Sequence, residues 1–97
     1  MSRLVNLKTG EITVLNKPVF RIGRERSYVD YYIPDPSVSR IHCQLLCNET
    51  GWYLTDSFST NRSYVIGSEI PPNTPVFVKN GDEIMLANVR LRFEEVR

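Results

Sequence analysis

Apolar side chains recur at every second position in short runs along this chain: Phe20 and Ile22; Ile41, Cys43, Leu45 and Cys47; Trp52 and Leu54; Ile84 and Leu86; Leu91 and Phe93. A period of two is that of a pleated strand with one face in a core. The alternating partners Arg21, His42, Gln44, Tyr53, Thr55, Arg90, Arg92 and Glu94 can face water or a neighbouring strand. Turn residues at Lys8-Thr9-Gly10, Asn48-Glu49-Thr50-Gly51, Pro71-Pro72-Asn73 and Lys79-Asn80-Gly81-Asp82 cut the sequence into runs of about four to seven residues rich in Val, Ile, Tyr and Phe. A helix of about ten residues fits nowhere between them. The pattern predicts an all-β sandwich of about ten or eleven short strands in two antiparallel sheets, with function at the loops joining them at one end.

Length and charge narrow the function classes. At 97 residues the chain is long enough for a single core but not for a separate substrate-binding lobe, so residues 1–97 are expected to form one domain. No internal repeat, linker or low-complexity segment interrupts it, and a unit of this kind could be a piece of a longer protein. The 12 Lys/Arg and 11 Asp/Glu leave a formal net charge of +1, with no basic block to follow a nucleic-acid backbone or bind an anionic membrane. Neither an apolar leader nor a run long enough to span a bilayer is present, which makes the cytoplasm the expected compartment. Asn48-Glu49-Thr50 and Asn61-Arg62-Ser63 match the glycosylation triplet but read more simply as turn residues.

The only cysteines, Cys43 and Cys47, are four positions apart in an expected strand. At about 3.3 Å per residue their Cα atoms are roughly 13 Å apart, beyond disulfide reach. His42 alternates to the opposite face, so the three do not make a metal site, and buried reduced thiols are expected. No metal or cofactor is implied. Paired carboxylates in a cleft, an activated nucleophile and a metal-ligand set are all missing from the pattern, so recognition rather than catalysis is expected.

The candidate chemistry lies in the polar segments between strands. Gly23-Arg24 follows the expected strand Val19-Phe20-Arg21-Ile22, where a planar guanidinium can offer paired N–H donors to a phosphate; taken alone, the dipeptide favours the plainer reading of a surface arginine paired to Asp30, Asp35 or solvent. Ser37-Val38-Ser39-Arg40-Ile41-His42 is a polar loop after Pro34-Asp35-Pro36, and loop hydroxyls and free backbone N–H groups are ordinary phosphate ligands. A third loop runs from Asp56 through Ser57, Phe58, Ser59, Thr60 and Asn61.

Gly23-Arg24, Ser39-Arg40-Ile41-His42, Asp56 to Asn61, Gly81-Asp82-Glu83-Ile84 and Arg92-Phe93, in that order, resemble the forkhead-associated (FHA) domain family from about Val19 to the last residues. The resemblance implies a β-sandwich whose loops bind extended phosphothreonine peptides. It implies phosphate contacts from Arg24, the Ser39 hydroxyl, the Arg40 backbone N–H and Thr60, and a pairing of Asn61 with the peptide backbone just after the phosphothreonine. Gly23 and His42 are expected to support the site, His42 as a structural brace rather than a general base. Asn80-Gly81 reads as a common hairpin turn, so Gly81-Asp82-Glu83-Ile84 is assigned to folding rather than binding.

Three positions depart from the family pattern: Arg62 replaces the usual glycine, Ser63 the usual threonine and Ile66 the usual asparagine of a later turn. Arg62 is either a cation at the rim of the peptide groove or a strained turn residue. The implied partner is a threonine-phosphorylated protein, a Ser/Thr kinase or its substrate, met by a domain expected to be monomeric. The alternative is a phosphate-independent interaction module whose pocket has drifted, with Arg62 as its mark.

Overall fold

Eleven strands form in the computed structural model, which describes residues 1–95; the last two positions of the expected domain, Val96 and Arg97, lie outside the described residues. Lys8-Thr9-Gly10 closes a hairpin between β1 (Ser2–Asn6) and β2 (Ile12–Val14), where Asn6 Oδ1 accepts from the Lys8 and Thr9 N–H groups. β3 (Val19–Gly23) is followed by a single 3₁₀ turn, Arg26–Tyr28, and by the two-residue β4 (Tyr31–Tyr32). β5 (Cys43–Asn48) and β6 (Gly51–Asp56) form a hairpin whose turn is held by Asn48 Oδ1, which accepts from both the N–H and the hydroxyl of Thr50. The remaining strands are β7 (Ser63–Val65), β8 (Ser68–Glu69), β9 (Val76–Val78), β10 (Glu83–Leu86) and β11 (Val89–Glu95).

Two sheets result, one of six strands in the order β2-β1-β11-β10-β7-β8 and one of five in the order β4-β3-β5-β6-β9. The pairings are antiparallel except one: β4 runs parallel to β3, with Ile22 opposite Tyr31 and Gly23 opposite Tyr32. The chain leaves β3, turns through the 3₁₀ segment and returns alongside it, tied by Asp30 N–H to Arg21 O and Ile33 N–H to Gly23 O. This short parallel edge is a local exception in the expected sandwich of two antiparallel sheets.

The alternation builds the core as expected. Phe20, Ile22, Cys43, Leu45, Trp52, Leu54 and Val78 from one sheet meet Leu4, Val65, Ile84, Leu86, Leu91 and Phe93 from the other. The rings of Trp52 and Phe93, one from each sheet, have centroids 6.3 Å apart. At about 25 cal/mol per Å² of apolar surface removed from water, this interior supplies most of the driving force and makes the sandwich a stiff base for its loops. Cys43 is buried and Cys47 half-buried, and both are free thiols; burial pushes the Cys43 thiol far above its ordinary value, so it stays protonated.

The period fails where a strand meets a loop. β5 begins at Cys43 rather than Ile41, and the preceding turn inverts the phase, leaving Ile41 exposed and His42 fully buried. The imidazole is accommodated inside because both its nitrogens are hydrogen-bonded there, which removes the cost of hiding a polar group.

Candidate functional site

Three loops meet at one end of the sandwich: residues 24–30 after β3, residues 33–42 between β4 and β5, and residues 57–62 between β6 and β7. The second is pinned by Val38, whose side chain is buried in the core. The Arg24 N–H donates to Ser39 O at 3.0 Å and its Nε donates to Val38 O at 2.9 Å. The guanidinium is therefore oriented by the neighbouring loop, while its two terminal nitrogens have no acceptor among the described residues. The acidic partners a surface arginine would seek are occupied elsewhere, Asp30 by Lys17 and the Arg21 N–H, Asp35 by Ser37.

Gly23 is required by proximity rather than by its own torsion. A Cβ there would lie 2.2 Å from Arg40 O, the atom that accepts the Glu25 N–H. Only a residue without a side chain lets β3 pass so close to the Ser39-Arg40 turn, which puts Arg24 beside Ser39 and Arg40.

Ser39 joins the second loop to the third. Its Oγ accepts from the Thr60 N–H at 3.0 Å, leaving the hydroxyl proton available for an outside acceptor. Its own N–H donates to His42 Nδ1 at 3.0 Å, and His42 Nε2 lies 2.9 Å from Arg62 O. Since Nδ1 accepts, the proton is on Nε2, and the buried neutral ring clamps the two loops together. Burial holds the imidazole below its ordinary value, outweighing the Arg62 carbonyl and the Asp56 charge, which favour protonation. The Arg40 N–H and the Thr60 hydroxyl have no partner among the described residues. The Arg40 side chain reaches Glu25 at 3.2 Å. Asn61 donates from Nδ2 to Ser37 O at 2.8 Å, which fixes the amide plane and leaves Oδ1 open.

The third loop is organised from beneath by Asp56, which is fully buried. Its carboxylate accepts from the Ser59 N–H at 3.0 Å, from the Ser59 hydroxyl, and from the Ser63 hydroxyl at 2.7 Å. Burial alone would push the carboxyl up, but the Ser59 and Ser63 hydrogen bonds together prevail and hold it below the usual range. Ser63, in place of threonine, still supplies the hydroxyl Asp56 needs. The sequence reading did not assign this role to Asp56. The signal was an aspartate three residues before a serine, the spacing of a side chain that caps its own turn.

Arg62 keeps a left-handed backbone, φ 71°, in the place of glycine. Its carbonyl serves both His42 Nε2 and the Ala87 N–H, so the unusual torsion is held by two hydrogen bonds. Its side chain turns along its own loop, with Nη1 donating to Ser59 O at 3.0 Å and Nε lying 3.6 Å from the Glu69 carboxylate. Phe58 and Ile66 are also left-handed, at φ 57° and 50°, and both side chains are exposed. Neither was expected to adopt such a torsion.

The site is thus a cluster of donors without partners among the described residues, on mutually braced loops: Arg24 is tied to Val38 and Ser39, Ser39 is tied to Thr60, and Arg40 follows Ser39 in the chain. The FHA domain family profile matches residues 20–87, which includes all of them. The chain belongs to the FHA domain family. Over 50 residues, half of the chain, this FHA domain is 42% identical to the E3 ubiquitin-protein ligase rnf8 of Danio rerio, and the match spans only about 10% of that protein's length. In fold it is similar to Mycobacterium tuberculosis EmbR in complex with a low affinity phosphopeptide, with a TM-score of 0.88 and 24% identity, covering 96% of this chain and 24% of that one. It is likewise similar to the N-terminal FHA domain of Saccharomyces cerevisiae Rad53p in complex with a phosphothreonine peptide, with a TM-score of 0.83 and 23% identity over 96% of this chain and 91% of that one. At these identities the likeness to the two structures is one of fold.

Proposed function

We propose that this FHA domain is a phosphothreonine-dependent interaction module, binding an extended segment of a threonine-phosphorylated protein across its three loops. The observation that carries this reading is the convergence of unengaged donors at Arg24, Ser39, Arg40 and Thr60 on loops already tied by the Ser39-Thr60 and His42-Arg62 hydrogen bonds. A threonine phosphate carries between one and two negative charges near neutral pH and three acceptor oxygens. The terminal nitrogens of Arg24 take it as a fork, while the two hydroxyls and the Arg40 N–H complete its shell. Each charge-assisted hydrogen bond contributes about 1.5–3 kcal/mol, and little ordering cost remains because the loops are fixed beforehand. Asn61, its amide plane set by Ser37 O, offers Oδ1 to the peptide backbone after the phosphothreonine. Arg62 is a rim contact: its exposed pairing with Glu69 is weak enough for an acidic peptide side chain to replace.

The threonine methyl lies against the loop wall and distinguishes phosphothreonine from phosphoserine. Its burial is worth only about 1 kcal/mol, so the fit of the wall adds to the discrimination. Residues 1–97 act as one binding unit, in cytoplasmic signalling, for a kinase or a kinase substrate; any turnover belongs to the partner or to attached domains.

The role of Arg24 is tested by calorimetry with one phosphothreonine peptide against the wild type and Arg24→Ala. Loss of the fork is expected to weaken binding at least a hundredfold, with only a small fall in melting temperature, because the side chain is exposed and the one internal bond it loses is Nε to Val38 O. An Arg24→Ala protein that binds normally places the phosphate elsewhere.

A further inference from the structure

The phase inversion at the start of β5 turns Ile41, an aliphatic residue, outward immediately after the Arg40 N–H. Ile41 is 41% exposed, and Tyr28 of the 3₁₀ turn, 61% exposed, comes up beside it. With Arg40 they line a cleft of about 280 Å³. Its charge is neutralised locally, since the Arg40 guanidinium is held by Glu25. Arg26, the other cation of that turn, lies over the Tyr32 ring. What remains is an apolar hollow that the fold itself leaves unfilled and that shares a residue with the phosphate site.

We propose that this cleft seats an apolar side chain of the bound peptide, from the residue two positions before the phosphothreonine. The proposal rests on the phosphopeptide reading above. Its direction comes from Asn61, which holds the backbone after the phosphothreonine and is bonded to Ser37, so the peptide leaves on the Ser37 side. Its earlier residues then pass over Arg40 toward Ile41 and Tyr28. In an extended peptide, residues two apart lie about 7 Å from each other and point to the same face, so the residue two before the phosphothreonine also points at the domain. The hollow adjoins the proposed phosphate site because Arg40 itself is part of its lining. Leucine, isoleucine or methionine fits the lining, whereas a carboxylate there would have to displace Glu25 from Arg40.

The test is a set of phosphothreonine peptides carrying Leu, Ala or Glu in turn at each flanking position, titrated into the wild type, Tyr28→Ala and Ile41→Ala. Leu two positions before the phosphothreonine is expected to bind roughly three- to tenfold more tightly than Ala. Both variants are expected to lose that advantage while binding the Ala peptide as the wild type does, which also shows that they are folded. A flat response at that position in peptides that do bind overturns the cleft assignment and leaves phosphothreonine recognition standing. So does a preference confined to residues after the phosphothreonine, which would direct attention to the larger groove of about 690 Å³ beside Ile33, Pro34, Pro36 and Val89. Failure of every phosphorylated peptide to bind removes the parent reading, and the cleft assignment with it.

Discussion

Ile66 occupies the first position of the β7–β8 turn at φ 50°, with Gly67 behind it at φ 77°, the pair of left-handed torsions that joins two strands with the right twist. A β-branched side chain is poorly suited to that torsion, and at 60% exposure it gains little from burial in return. Ile66→Asn is expected to stabilise the domain by about 1 kcal/mol, raising the melting temperature by roughly 4 °C in a thermal scan; a fall would show that Ile66 has packing worth more than its strain. Arg62 differs from Ile66 although both stand where the family has a turn-forming residue. Its carbonyl anchors His42 and Ala87 and its guanidinium caps Ser59 O, so its strain is offset by contacts that glycine would only partly keep. His42 shows the same principle inside the core: a polar ring is tolerated where both nitrogens are matched.

At the scale of strands and loops, the alternation was legible because a half-buried strand has no other way to hide one face, and Phe20/Ile22, Trp52/Leu54, Ile84/Leu86 and Leu91/Phe93 are all buried as that rule requires. It failed at Ile41 and His42 because the turn through Ser39 and Arg40, which the pattern does not encode, determines which of the two faces inward. The parallel β3–β4 edge was illegible for another reason: two residues, Tyr31 and Tyr32, are too few to show a period. Buried Val38 was likewise hidden in a polar loop. The loops bearing the chemistry could be marked from Arg24, Ser39 and Thr60, but the Ser39-Thr60 bond spans 21 positions and exists only through the fold. Gly23 is the joint on which that convergence turns. Gly23→Ala places a methyl against Arg40 O with only backbone around it, so a loss of roughly 1–3 kcal/mol or more is expected in urea unfolding, together with weaker phosphopeptide binding. Unchanged stability would mean that the close approach is not maintained in solution.

For the whole molecule, pH links the core to the loops. His42 is held below its ordinary 6.5, so the unfolded chain takes up its proton first as pH falls, and the stability gained from the neutral ring is present above pH 6.5 and lost as pH drops through the lower folded value. Asp56, held below its ordinary 3.8, contributes in the same direction: its stabilisation is present above that value and is lost below it, as the carboxylate that accepts from Ser59 and Ser63 is protonated. Urea unfolding at pH 7.5, 5.5 and 3.5 is expected to give stabilities that decrease in that order, and a stability that rises on acidification would contradict the clamp. Those two groups brace the loops that carry Arg24, Ser39, Arg40 and Thr60, the donors proposed to take the phosphate, which is mostly dianionic above neutral pH. Calorimetric titration at pH 7.5 with three peptides of one sequence, bearing phosphothreonine, phosphoserine or unmodified threonine, tests that central claim most directly. The phosphothreonine peptide is expected to bind at least a hundredfold more tightly than the unmodified one, with phosphoserine weaker by roughly five- to tenfold. Equal affinity with and without the phosphate would contradict the account and leave a module that docks its partners through another surface.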